Sequence, residues 1–147
     1  MTEIYPFMDP QELEEVQTGP PPCTEFAYDF STRQFLSKNG KNYLVKDKEA
    51  LKIKIWKLFM TARLRHAIFP NLYGNDLETL IGKAYTTGYI NSEAERFVRE
   101  AVKLNLSPWV KRIEDLSVNF NEGTLEINFR VVSIWGVFDI VGLEVIF

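Results

Sequence analysis

Arg63 and Arg65 stand two residues apart in the run Thr61-Ala62-Arg63-Leu64-Arg65-His66-Ala67-Ile68-Phe69-Pro70-Asn71-Leu72-Tyr73-Gly74. Each guanidinium is a planar fork that pairs bidentately with a carboxylate, so the chemistry on offer is ion pairing. Gly74 can take the positive φ that a sharp chain reversal needs. Asn75 then reads as a helix N-cap, with Glu78 three residues on to complete a capping box.

Other reactive side chains are few and scattered. His66 is the only histidine and Cys23 the only cysteine, far apart in the chain. A single His cannot build a His-rich metal site, and a lone Cys excludes an intrachain disulfide framework and suits a reducing compartment. Gly74, Gly82 and Gly88 have neither the spacing nor the Lys-Ser/Thr ending of a phosphate-cradling loop. A glycosidase needs two carboxylates across a cleft, but Asp76, Glu78, Glu93 and Glu95 each have a simpler role near a helix N-terminus. The expectation is a non-enzymatic protein with no cofactor and no metal. No basic-then-apolar leader opens the chain and no apolar run nears membrane-spanning length, so neither a signal peptide nor a membrane role is expected.

Charge is unevenly distributed. Residues 1–30 hold seven acids and no Lys or Arg, whereas residues 31–65 hold ten Lys or Arg against Asp47 and Glu49. A basic middle can signal nucleic acid, with Tyr43 and Trp56 the only aromatic candidates for base stacking. Trp56 falls within an apolar stripe, which argues for packing, and a charged face matched by acidic neighbours accounts for the lysines without a dedicated nucleic-acid site.

The elements that must position these residues follow from periodicity. Residues 1–24 read as an acidic, Pro-containing docking arm, broken by Pro6, Pro10 and Pro20 to Pro22, with a short helix from Asp9-Pro10 through Val16. Ile4, Tyr5, Phe7 and Met8 give the arm apolar side chains to dock on its own domain or on a neighbour. Residues 25–147 read as one α+β domain. Phe26, Tyr28 and Phe30 alternate as a strand, Asn39-Gly40 turns the chain, and Tyr43 to Val45 returns, an N-terminal β-hairpin. Three helices follow: one capped by Asp47 and running to about Arg65, one opening at Asn75, and one opening at a Ser92/Glu95 capping box. Pro108 ends the helical region. Leu116 to Phe120, Leu125 to Val131 and Val137 to Phe147 then read as C-terminal antiparallel strands, the first two joined by a turn at Asn121-Glu122-Gly123.

Two surfaces carry more apolar residues than one face needs. On a helical wheel Leu51, Ile55, Leu58, Phe59 and Ala62 form one stripe of the long helix, and Ile53, Trp56, Met60 and Leu64 a nearly opposite one. The second stripe is covered either by the hairpin or arm of the same chain, or by a neighbouring subunit. In the last strand Val137, Val141, Leu143, Val145 and Phe147 point one way and Phe138, Ile140 and Ile146 the other, which reads as burial on both faces. Such a strand lies centrally in its own sheet or pairs with strands of another subunit.

The Thr-x-Arg-x-Arg run with its Tyr-Gly close resembles the signature of the baseplate wedge, or sheath-initiator, proteins of contractile phage tails and phage-tail-like bacteriocins, closest to the small prophage members. The order Asp29-Phe30, Gly-centred turn, Lys48 to Leu51 helix start, signature and β-rich final third also agrees, although Ala62 stands where the family pattern has Glu. The resemblance implies a structural baseplate component that links baseplate to sheath and templates sheath assembly by strand addition. Its implied partners are the sheath protein, baseplate wedge and hub proteins and, as a further candidate, the tail tube. It implies assembly in the bacterial cytoplasm and residence in the extracellular particle. Interface positions then fall in three groups: Arg63, Arg65, Tyr73 and Gly74 in the signature; Ile53, Trp56 and Met60 on the helix; and Phe138, Ile140, Val145 and Phe147 in the tail. The alternative reading is a generic interaction subunit of another assembly, with a lysozyme-like enzyme behind it.

Overall fold

A computed structural model of the chain describes residues 19–65, 68, 70, 72–80 and 86–146. The arm residues 1–18, with the short helix expected there, lie outside the described residues, as do His66, Gly82 and Phe147. Packing begins just before the boundary expected at residue 25: Cys23 is buried and β1 opens at Thr24.

The N-terminal hairpin is a nested set of short strands. Its base pairs β1 (Thr24–Phe26) with β6 (Leu44–Lys46), and it encloses β2 (Tyr28–Asp29) with β3 (Gln34–Phe35) and β4 (Ser37–Lys38) with β5 (Lys41–Asn42), all antiparallel. Asn39 and Gly40, at φ 53° and 76°, make the two-residue turn between Lys38 and Lys41. Positive φ at both central residues matches the twist of the flanking strands.

α1 (Asp47–Met60) and α2 (Thr87–Leu106) pack on one face of a three-stranded meander of β7 (Val110–Asn121), β8 (Thr124–Ser133) and β9 (Gly136–Ile146). Its order is β7-β8-β9, so β8 is central. The strict alternation of β8 sends Leu125, Ile127, Phe129 and Val131 into the core. They meet Leu51, Ile55, Leu58 and Phe59 of α1 and Ala94, Val98 and Ala101 of α2, all buried in one cluster. Phe59 meets Phe129 edge-on at 6.0 Å between ring centroids. Each large side chain so buried contributes roughly 1.5–3 kcal/mol.

The described residues contain two α-helices where three were expected; the middle one is a single 3-10 turn, Leu77–Leu80. Its Glu78 is diverted from the expected capping box by a bond to Arg65. α1 stops at Met60, short of Arg65, because Thr61 turns to extended backbone. Asp47 does not cap α1: it lies at φ 58°, and its amide donates to the Cys23 carbonyl at 3.0 Å. α2 starts earlier than the Ser92/Glu95 pair, at a Thr86 N-cap whose hydroxyl accepts from the Tyr89 amide. This start brings Ile90 onto the buried face with Ala94 and Val98, four residues apart.

The last strand departs most from expectation. Ile127 pairs with Leu143 but Phe129 with Ile140, so β9 carries one extra residue across from Asn128. Gly142 takes φ 68° there and donates its amide to Asn128 Oδ1 at 2.7 Å. A bulge reverses which residues face inward. Phe138 and Ile140 before it therefore share the core side with Leu143 and Val145 after it, while Val137 and Val141 are 52% and 79% exposed. β9 is thus buried on one face only, and it lies at an edge of the sheet rather than its centre.

Candidate functional site

The signature residues converge on the C-terminal end of α1. A helix end leaves its last carbonyls without intrahelical partners. Here the buried Asn75 side chain takes them: Nδ2 donates to the carbonyls of Leu58, Phe59 and Thr61 at 2.9, 3.0 and 3.0 Å. Its Oδ1 accepts from the Leu77 amide, so one side chain closes α1 and opens the next turn. The backbones join as well, Arg63 N–H to Asn75 O and Asn75 N–H to Thr61 O, at 3.0 and 3.1 Å. Gly74 makes that approach possible. It sits at φ 103°, and a Cβ there would lie 2.7 Å from the Thr61 carbonyl oxygen.

Charge locks the clasp from outside. Arg63, only 12% exposed, donates to Asp76 Oδ2 at 2.6 Å and lies 3.6 Å from Glu100 of α2. One arginine thereby ties the end of α1, the returning loop and the second helix together. Its Nε is buried with no hydrogen-bond partner among the described residues. Arg65, largely solvent-exposed, pairs with the partly exposed Glu78. Leu64 between them adopts φ 63° and is 74% exposed, so the clasp turns an apolar side chain out of the fold. Tyr73 packs half-buried on the core; burial, then the Glu25 charge, pushes its phenol up from the usual value.

The second stripe of α1 splits. Ile53 is buried, and Trp56 stacks on Tyr28 of the hairpin at 4.9 Å with Phe30 edge-on to it. Met60 is 41% exposed, and Leu64, Ile68 and Leu72 later in the run are exposed as well. On another flank, Glu25 of β1 accepts from Lys54 and Lys57 at 3.0 and 2.7 Å. Burial would raise its carboxyl, but the two lysine hydrogen bonds and charges outweigh that and hold it below the usual glutamate range. This clamp is missed by a sequence reading that counts Glu25 only as one of the seven acids in residues 1–30; its one signal is the 54/57 spacing, which puts both lysines on one side of the helix.

In the tail, Phe138 and Val145 are buried in the chain's own core and Ile140 packs partly buried beside them. What β9 presents outward is Val137, Val141 and an edge with no strand paired to it among the described residues. Among the described residues, no group of three or more His, Cys, Asp or Glu could hold a metal ion, and no helix is long and apolar enough to cross a membrane.

No curated protein matches the chain. The family model of the contractile injection system sheath initiator matches residues 24–136, from β1 through the clasp and both helices to the first residue of β9. The chain therefore belongs to the contractile injection system sheath initiator family, whose members are structural components of contractile tails.

Proposed function

We propose that this protein joins the baseplate to the first sheath subunits and that β9 is the element on which they add. The observation that carries this reading is an apolar edge strand left open: β9 pairs with β8 alone among the described residues, and its outward face shows Val137 and Val141. An open apolar edge is a template for strand addition, in which main-chain hydrogen bonds supply affinity and alternate side chains supply specificity. The arginine clasp serves this role indirectly by holding α1, the loop and α2 in one geometry beneath the sheet. Met60, Leu64, Ile68 and Leu72 are further exposed apolar side chains, and we assign them, with Arg65, to the baseplate side.

Cryo-electron microscopy of sheathed particles carrying a small tag on Met1 tests the placement. The reading predicts a ring of tag density at the base of the sheath, with β9 continuous with a sheath strand. Sheathed particles that contain the protein but place it elsewhere, or leave β9 without a strand neighbour, would sink it.

A further inference from the structure

Beside β9 lies a groove of about 270 Å³, walled by Phe30 of the hairpin, by Lys52, Ile55 and Trp56 of α1, and by residues 139–143 of β9. Successive strand residues point to opposite faces, so a hollow touched by both Ile140 and Val141 runs along the backbone between them. β8 holds one edge of β9, which leaves the groove at the other, unpaired edge. A strand added there lies about 4.8 Å from β9 and roofs the groove.

The walls are mostly apolar, and the two charges among them are already engaged within the chain. The Lys52 ammonium lies 5.4 Å from the centroid of the Phe138 ring, and Asp139 accepts from Arg130 at 2.9 Å. What the groove lacks is therefore apolar contact, not a counter-charge. A cavity of about 150 Å³ accepts a benzene ring, so this one has room for one large apolar side chain, an aromatic one included.

We propose that the strand added to β9 carries a leucine, methionine or aromatic side chain that fills this groove, and that this anchor sets the strand's register. The inference rests on the reading of β9 as the joining strand and adds the chemistry of the partner: an extended sheath segment apolar on both faces. Its inward anchor meets Ile55, Trp56 and Leu143, while its outward neighbours lie along the exposed Val137 and Val141. Main-chain hydrogen bonds form in more than one register, so pairing alone does not select one; pockets for alternate side chains do. A slip of one residue would turn the anchor to the outer face and set its neighbour over the groove.

Photo-cross-linking in assembled particles tests the anchor. Phe30 lines the groove and is 45% exposed, so Phe30→p-benzoylphenylalanine keeps a ring at that position and adds the probe. Irradiation should join it to a sheath subunit, mapped by mass spectrometry to a large apolar residue of an extended segment. A product with a baseplate protein, with a second copy or within the chain itself would give the groove another occupant and overturn the proposal, as would no product at all. Lys52→Trp is an independent check, because its indole fills the groove from α1. The variant should melt with the parent and enter baseplates, yet cut the sheathed fraction by about tenfold, the scale of losing one anchor side chain at an interface. Sheathing equal to the parent's would contradict the anchor. Strand density beside β9 in those particles separates the two failures: with the strand present only the anchor falls, and without it the reading of β9 falls as well.

Discussion

The arginine clasp and the last strand use their chemistry in opposite ways. At the clasp, a guanidinium, a carboxamide and a glycine are all consumed inside the chain: Arg63 on Asp76 and Glu100, Asn75 on three carbonyls, Gly74 against Thr61. At β9 the charges are few, the inward residues merge with the core, and an open edge with two exposed valines is left over. The most distinctive motif in the sequence therefore holds the fold together, and the plainest segment is the one with bonding capacity to spare. Conspicuous polar chemistry in a small structural protein can mark a joint between its own elements, because a buried polar group is tolerated only when it is paired.

The comparison breaks if the clasp is not internal. Gly74→Ala should have the largest effect, about 4 kcal/mol, since it adds left-handed strain to a close approach with the Thr61 oxygen. Chemical denaturation should show the loss, and a variant as stable as the parent would mean the loop is held differently. Arg63→Ala comes next. It strips a mostly buried charge from Asp76 and loosens the link to α2, a loss of about 2 kcal/mol in the isolated protein. An Arg63→Ala protein of full stability that fails only in assembly would move Arg63 from the fold to an interface.

Smaller effects sharpen the picture. Glu25→Gln should cost about 1 kcal/mol at neutral pH. Because the folded carboxyl is held below its usual range, its contribution is complete above the unfolded glutamate value, about 4.3, and fades as pH falls through the lower folded value. The gap in melting temperature between parent and Glu25→Gln should thus close on acidification; a gap constant down to strong acid would remove the lysine clamp as its source. Arg65→Ala should be smallest, under about 0.5 kcal/mol, because Arg65 is largely in water and Glu78 partly so.

How much of this was legible depended on whether the signal was local. The Asn39-Gly40 and Glu122-Gly123 turns and the alternation of β8 are written in neighbouring residues, and all appear in the structure. The capping assignments failed for two reasons: Asp47 is held at φ 58° with its amide on the Cys23 carbonyl, and Thr86 opens α2 six residues before Ser92 and lets Ile90 be buried. The end of α1 was misplaced because its stop comes from Asn75, fourteen residues beyond Thr61. A wheel that extends the helix through Arg65 cannot register a side chain arriving from another segment. The faces of β9 were misassigned for a comparable reason. Gly142 reads as an ordinary strand glycine until Asn128 across the ladder accepts its amide, and one bulged residue inverts all that follows. The two arginines stand out in the sequence as ion-pairing groups, but which carboxylates they meet is a property of the assembled fold.

The bulge also decides the decisive experiment. Truncating residues 138–147 would remove Phe138, Leu143 and Val145 from the core and confound folding with assembly. The double substitution Val137→Lys/Val141→Lys instead alters only the exposed face of β9. The measurement is its melting temperature beside electron microscopy of the particles it forms. The account predicts a protein that melts within about a degree or two of the parent, since exposed substitutions seldom change stability by more than about 0.5 kcal/mol, and that enters baseplates bearing no sheath. Normally sheathed particles containing the variant would contradict the assignment of β9 as the joining strand.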